Sequence, residues 1–342
     1  MIDLSRRQLS LSLFVSLAAL AAFTCGCSKK PSAESAPSAA AAAAAPSEQK
    51  LKLALNWVPE PEFGGFYTAR ESGEYKKRGL DVEILGGGAG VPVLQMVATG
   101  RADFGTVGAD EVVTGRARGA DVVAVFATYQ TFPQGIMVHA ERKLTSIEQA
   151  FKSGTVALET GVAYAQHLKR KFSWDGAQIV PYDGGVARFL ADKNFSQQCF
   201  VTSEPLAAKK QGGDPQVFMI ADTGFNPYTT VIITRRELLE KQRDTVQRFV
   251  QASSAGWQTY LRDPGPTNAK LGELNKSMDA ESMQGAANAQ KPLIETADTT
   301  KNGLGSMQRE RWDTLATQLV ELKVIETKPN VDELFVNFPS GS

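Results

Sequence analysis

From Lys50 onward, short apolar runs alternate with longer amphipathic ones, and the alternation runs through the chain twice. That pattern restricts the chain to α/β architecture, with strands under helices. In the first series KLALN (52–56) predicts a strand and FYTARESGEYKKRG (66–79) a helix closed by Gly79. LDVEIL (80–85), ADFGTVG (102–108) and ADVVAVFATY (120–129) predict strands, with helices at 91–100 and 110–119 between them. The Val- and Ala-rich runs lack polar alternation, so both faces of these strands are covered, as in a mostly parallel sheet. The second series starts near Pro133, with strands at GIMVH (135–139), TVALETG (155–161), QIVPYD (178–183), CFVTSEP (199–205) and QVFMIAD (216–222). After VIITRRELLEK (231–241) the chain is mostly helical, and Trp312, Leu315, Leu319 and Leu322 recur at helical spacing as a core stripe. Two Gly/Pro-containing segments, TYQTFPQG (128–135) and ADTGFNPYTT (221–230), join the series. Read as crossovers, they give a first lobe of residues 50–131 plus 224–342 and a second lobe of 132–223. Two crossovers form a hinge, and a hinge between lobes makes a cleft that can close.

The N-terminus is read apart from this fold. Arg6 and Arg7 precede the apolar run LSLSLFVSLAALAAF and then TCGC, the order of a secretory signal. The run is shorter than the ~20 apolar residues of a spanning helix. SRRQLSL resembles a twin-arginine export signal, and TCGC resembles a lipoprotein cleavage site, with Cys27 as the lipidated residue of a signal segment at 1–27. Residues 28–49, rich in Ala, Ser and Pro, have little to bury and read as a tether. The expected location is therefore outside the cytoplasm, at a membrane surface. Two of the three cysteines lie in the signal region, so no disulfide framework is possible, and Cys199 in QCFV reads as buried and inert.

Chemistry of a catalytic kind is scarce. The two histidines, His139 and His167, carry no metal-ligand or triad spacing, and no H-E-x-x-H or G-x-S-x-G motif occurs. GGGAG (86–90) follows a strand and precedes a helix, but Val91 stands where a dinucleotide fingerprint needs glycine. No resident cofactor and no metal are expected. Lys+Arg and Asp+Glu both number 37, so there is no basic field for nucleic acid. The remaining candidates sit where strands end, the edge at which open α/β sheets bind ligands. They are Trp57, Gly88, Asp110, Glu111 and Gln130 in the first series, and Tyr164, Thr202 and Glu204 in the second. Glu62, Phe63 and Tyr67 join them from PEPEFGGFY, and Tyr228 from GFNPYTT. In that first stretch Pro59 and Pro61 stiffen the turn, and Gly64 and Gly65 are expected to bring the next helix close to the ligand. One of Glu60 and Glu62 is expected to face the ligand. An edge of aromatics and acids with few cations suits a flat, hydrogen-bonding or weakly cationic ring better than a phosphate or sulfonate.

LNWVPEPEFGGFYTARESGEYKKRGLDVEIL, GGGAGVPVLQMVATGRADFG and ARGADVVAVFATYQTFPQGIMVH resemble the solute-binding proteins of ABC importers. Within them the likeness is to the group tied to synthesis and binding of the thiamine pyrimidine precursor, a neighbour of the sulfonate, nitrate and taurine binders. The resemblance implies a type II periplasmic-binding fold and delivery of the ligand to a permease and ATPase. The expected protein is a monomer, and because the eukaryotic synthases of the wider family carry a cysteine cluster where this chain has only Cys199, no enzymatic activity is expected. It implies that Trp57 and Tyr67 form an aromatic wall and that Glu204, in CFVTSEP, is the acid facing the ligand. TSEP and GFNPYTT also resemble binders proposed for riboflavin. An exported pyrimidine-processing enzyme and an aliphatic sulfonate or nitrate binder are the competing readings.

Overall fold

Alternation along the first strand sets the depth of the sheet it opens: in Gln49–Ala54, Leu51, Leu53 and Ala54 are buried while Lys50 and Lys52 are exposed. A computed structural model of the protein describes residues 48–339. The expected signal segment, Cys27 and nearly all of the expected tether lie outside the described residues. The strand itself begins at Gln49, the last residue read as tether, which pairs with Leu80.

The strands are β1 (Gln49–Ala54), β2 (Leu80–Leu85), β3 (Phe104–Val107), β4 (Val122–Tyr129), β5 (Gln134–His139), β6 (Thr155–Ala157), β7 (Gln178–Val180), β8 (Phe195–Phe200), β9 (Pro215–Met219) and β10 (Thr229–Arg235). They form two five-stranded sheets, ordered β2-β1-β3-β10-β4 and β7-β6-β8-β5-β9. The two orders are the same pattern. In each sheet the strand that enters from the other lobe, β10 or β5, is inserted antiparallel beside the third strand of that lobe's own series. The rest run parallel, as the unalternated Val/Ala runs predict. The chain thus forms two α/β lobes joined by two crossovers, with a cleft between them.

All eight residues of β4 are buried although it is an edge strand. The C-terminal segment covers it: Ala124 donates to the Leu334 carbonyl at 2.9 Å and Ala127 to that of Gly305 at 3.0 Å. An unpaired edge is a template for aggregation, and this one is closed by the chain's own tail. Trp312, Leu315 and Leu319 of the Arg309–Glu321 helix are buried in the core beneath that tail, as their spacing predicts.

Three local differences from the sequence reading have physical causes. The helix expected over 66–79 is two helices, Gly64–Glu71 and Glu74–Lys77, parted by Gly73 at φ 75°. CFVTSEP is not all strand: β8 ends at Phe200, and the Glu204–Lys210 helix starts with Pro205 in its first turn, where the missing N–H costs nothing. Gly64 and Gly65 serve a helix rather than a ligand. A Cβ on Gly64 would stand 2.2 Å from the Tyr260 ring, and one on Gly65 would stand 2.1 Å from that of Trp257. The pair lets the Gly64–Glu71 helix lie directly on the Arg243–Arg262 helix.

Candidate ligand-binding cleft

The turn after β1 is pinned from three directions before any ligand is considered. Asn56 donates its backbone N–H to the Thr106 hydroxyl at 2.9 Å, and that hydroxyl donates to Asn56 Oδ1 at 2.7 Å. Gly87 donates to the Trp57 carbonyl at 2.9 Å, and a Cβ on Gly87 would fall 2.0 Å from the Leu55 oxygen. GGGAG is therefore a close backbone approach between two strand ends. Gly88 beside it faces open space. Further on, Gln290 of the Ala280–Ile294 helix donates to the Pro61 carbonyl at 2.9 Å and accepts from the Tyr129 hydroxyl at 2.6 Å. Thr230, at the start of β10, donates its hydroxyl to Glu62 Oε1 at 2.5 Å.

This scaffold presents Trp57, 44% exposed, and two acids, Glu60 half-buried and Glu62 buried. The second lobe answers with a third acid. Glu204 receives the Tyr182 hydroxyl on one carboxyl oxygen and the Phe200 N–H, at 2.7 Å, on the other. Phe200 in turn meets Tyr129 of the first lobe edge-to-face, with ring centroids 6.0 Å apart. Tyr164, its hydroxyl 2.6 Å from Gln198 Oε1, stands with Phe132 at 6.1 Å between centroids.

Three carboxyls therefore converge from two lobes. Burial, and then the charges of Glu62 and Glu204, push Glu60 up to about 8. Burial pushes Glu62 up to about 7, against the stabilising bond from Thr230. Burial raises the Tyr129 hydroxyl well above its ordinary value, helped by Glu62 and Glu60. Burial, then Glu204, does the same to Tyr182. These carboxyls are in no ion pair with a Lys or Arg among the described residues, and Glu62 and Glu204 are relieved by hydrogen bonds from Thr230, Tyr182 and the Phe200 N–H.

The other expected residues are placed elsewhere or otherwise engaged. Phe63 and Tyr67 are buried in the core cluster, with the Arg70 guanidinium 5.0 Å from the Tyr67 centroid. Gln130 turns its amide to the Ala127 and Ser306 carbonyls. Tyr228 accepts from the Gln308 N–H at 2.8 Å beneath the Arg311 guanidinium, 3.8 Å from its centroid. Glu111 caps its own helix by accepting from Gly108 N at 3.0 Å, while burial raises the neighbouring Asp110. Thr202 is buried in the turn after β8. Tyr182, Phe200 and Thr230 lie outside the sequence candidates, whereas Tyr129 falls in the stretch 128–131 where the fourth predicted strand ends. Tyr182 stands near the end of the predicted strand QIVPYD, so the strand-end rule reaches it, but Phe200 lies near the start of the predicted strand CFVTSEP and becomes a strand end only because β8 stops there. Gln290 left no such signal, because it comes from a helix 229 residues from its partner Pro61.

The chain matches the family model NMT1/THI5 like over residues 60–266, more than half its length, and it belongs to that family. Riboflavin-binding protein RibY of Chloroflexus aurantiacus is 24% identical in an alignment of 333 residues that covers 91% of this chain and 91% of that one. The formylaminopyrimidine-binding protein of Halalkalibacterium halodurans is 19% identical over 279 residues, 79% of this chain and 84% of that one. The 4-amino-5-hydroxymethyl-2-methylpyrimidine phosphate synthase THI5 of Saccharomyces cerevisiae is 24% identical over 234 residues, 64% of this chain and 69% of that one. Among solved structures, the periplasmic aliphatic sulphonate binding protein SsuA from Escherichia coli superposes with a TM-score of 0.66 at 15% identity, covering 86% of this chain and 94% of that one. At that identity the likeness is one of fold, and the fold is that of the periplasmic binding proteins.

Proposed function

We propose that the protein is the extracytoplasmic substrate-binding component of an ABC importer, and that it captures a flat heteroaromatic compound, an aminopyrimidine of the thiamine-precursor kind, by closing its lobes. The observation that carries this is the approach of Glu60 and Glu62 to Glu204 across the cleft, with Tyr129, Tyr182 and Phe200 beside them and, among the described residues, no Lys or Arg paired with these acids. Sulfonate and nitrate need donors and positive charge, and three acids oppose them. An aromatic amine instead donates to carboxylates, and its ring stacks on aromatic faces, which adds about 0.5–1.5 kcal/mol beyond burial. Trp57 offers such a face at the cleft rim. A flavin is the second reading, favoured by the coverage of RibY, which spans 91% of both chains.

A turnover role finds little support in the histidines. His139 stacks on Phe189 at 3.9 Å and bonds its carbonyl, and His167 bonds the Thr223 hydroxyl at 3.0 Å. Export, a lipid on Cys27, monomeric capture and handover to a permease and ATPase complete the proposal. Calorimetric titration with 4-amino-5-hydroxymethyl-2-methylpyrimidine, riboflavin, taurine and nitrate tests it. One of the two ring compounds should bind and neither anion should. Glu204→Gln should weaken the aminopyrimidine about tenfold or more, the loss expected for one charge-assisted hydrogen bond, and weaken riboflavin less. Binding of taurine or nitrate alone would overturn the proposal.

A further inference from the structure

One buried amide holds the first-lobe wall of the cleft from behind. Gln290, 0% exposed, gives its side-chain N–H to the Pro61 carbonyl at 2.9 Å and takes the Tyr129 hydroxyl on its oxygen at 2.6 Å. Pro61 opens the turn Pro61–Phe63 that carries Glu62, and Tyr129 ends β4 and meets Phe200 of the second lobe. A buried donor or acceptor left unpaired costs more than its bond contributes, so the turn and the strand end keep their places relative to Gln290. Three residues on, Leu293 holds the hinge in the same way. Its carbonyl is among the last four of the Ala280–Ile294 helix, which no N–H of that helix reaches, and it accepts from Gln130 at 2.8 Å and Thr131 at 3.1 Å. These two residues begin the first crossover, and Phe132 beyond them donates to Asn226 Oδ1 of the second crossover at 2.8 Å. Between Gln290 and Leu293 stand Lys291, whose ammonium donates to the Leu261 carbonyl at 2.9 Å, and Pro292, whose ring fixes φ. One turn of helix thus binds the ligand turn, the end of β4 and the hinge.

We infer that Gln290 is a positioning residue of the binding site: with Leu293 it brackets the Pro61–Phe63 turn, the Tyr129 end of β4 and the start of the first crossover into one unit. Hinge bending then falls beyond Thr131, and closure brings the second lobe onto a wall already in place. The inference rests on the cleft being the ligand site, as proposed above, and adds what fixes its first-lobe wall. Sealed from solvent, Gln290 acts only through Pro61 and Tyr129. Its loss therefore weakens every ring ligand alike, whereas Glu204 discriminates between them.

Amide hydrogen exchange of the unliganded full chain tests it. Gln290→Met keeps the length of the side chain and removes both bonds. It should speed exchange about tenfold, the loss expected for one buried hydrogen bond, in two separate segments at once: at Phe63, whose amide bonds the Glu60 carbonyl at 2.9 Å, and at Gln130 and Thr131. Exchange in β5 of the second lobe should stay as it is, which sets a joined unit apart from general loosening. Tyr129→Phe takes away one bond and leaves the ring, so it should speed exchange at Phe63 by a smaller factor, and it decides the question if Gln290→Met does not fold. Faster exchange in one segment alone, in neither, or throughout the chain rejects the bracket. Where 4-amino-5-hydroxymethyl-2-methylpyrimidine or riboflavin binds the wild type, Gln290→Met should lower the affinity about tenfold for either probe, and an unchanged affinity rejects the positioning role. If neither probe binds, the ligand class falls, and the exchange pattern still decides the bracket.

Discussion

Thr230 is the residue whose backbone says most about the cleft. It is β-branched, yet it holds φ at 50°, in the left-handed region that such side chains avoid. Strain of this kind costs about 1–3 kcal/mol and persists where the surroundings over-determine it. Here the surroundings include Glu62, to which the Thr230 hydroxyl donates. The acids themselves leave a signature in stability. Glu60 and Glu62 rise from the ordinary 4.5 to about 8 and about 7, so the folded chain binds protons more tightly than the unfolded one. Between those limits the folded state holds more protons, and stability therefore falls as pH rises through that window. Chemical denaturation of the unliganded protein should show a midpoint that declines from about pH 5 to about pH 8, with Glu60→Gln flattening the upper part of the decline. A midpoint that climbs over the same range would contradict the buried-acid account.

At the scale of elements, the packing of the Gly64–Glu71 helix on the Arg243–Arg262 helix leaves no room for a side chain at its glycines. Gly65 and Gly256 face each other across it: a Cβ on Gly256 would stand 2.3 Å from the Gly65 oxygen. Gly65→Ala, driven into the Trp257 ring, should lower unfolding stability by about 1–3 kcal/mol in denaturant titration. An unchanged midpoint would mean that the helices can part freely. This contact also marks where the sequence stopped being legible. Strand positions could be read because unalternated Val and Ala runs such as ADVVAVFATY admit few other structures. The strand-end rule points to Trp57, which is exposed, and to Glu204, which accepts from the Tyr182 hydroxyl, and both enter the proposed site. The double glycine of PEFGGFY suggests a ligand approach in sequence because the aromatic rings it actually packs against, Trp257 and Tyr260, lie almost two hundred residues away and nothing local announces them. Tyr67 was misplaced for the same reason: an aromatic in a helix beside a cleft looks alike in sequence whether it turns to the cleft or to the core, and here it is 2% exposed.

For the whole molecule, the contacts between the two lobes include an ion pair and an apolar approach. Lys210 of the Glu204–Lys210 helix reaches Asp279 and, at 3.3 Å, Glu281, at the start of the Ala280–Ile294 helix. Leu206 lies so near Gly285 that a Cβ there would stand 3.3 Å from it. Exposed ion pairs add little to folding, but this one ties a helix of the second lobe to a helix of the first. Lys210→Ala should leave the unfolding midpoint unchanged and speed ligand release a few-fold, an effect that fades as salt rises, read by stopped-flow fluorescence of Trp57. Equal release rates in mutant and wild type would show that the pair does not hold the lobes together. The central claim, that closed lobes hold a flat heteroaromatic ring between acids and aromatics, is tested most directly by native mass spectrometry of the protein purified without added ligand. The account predicts a co-purified mass of an aminopyrimidine or a flavin, released when the protein is denatured. A bound sulfonate or other anion in its place would contradict it.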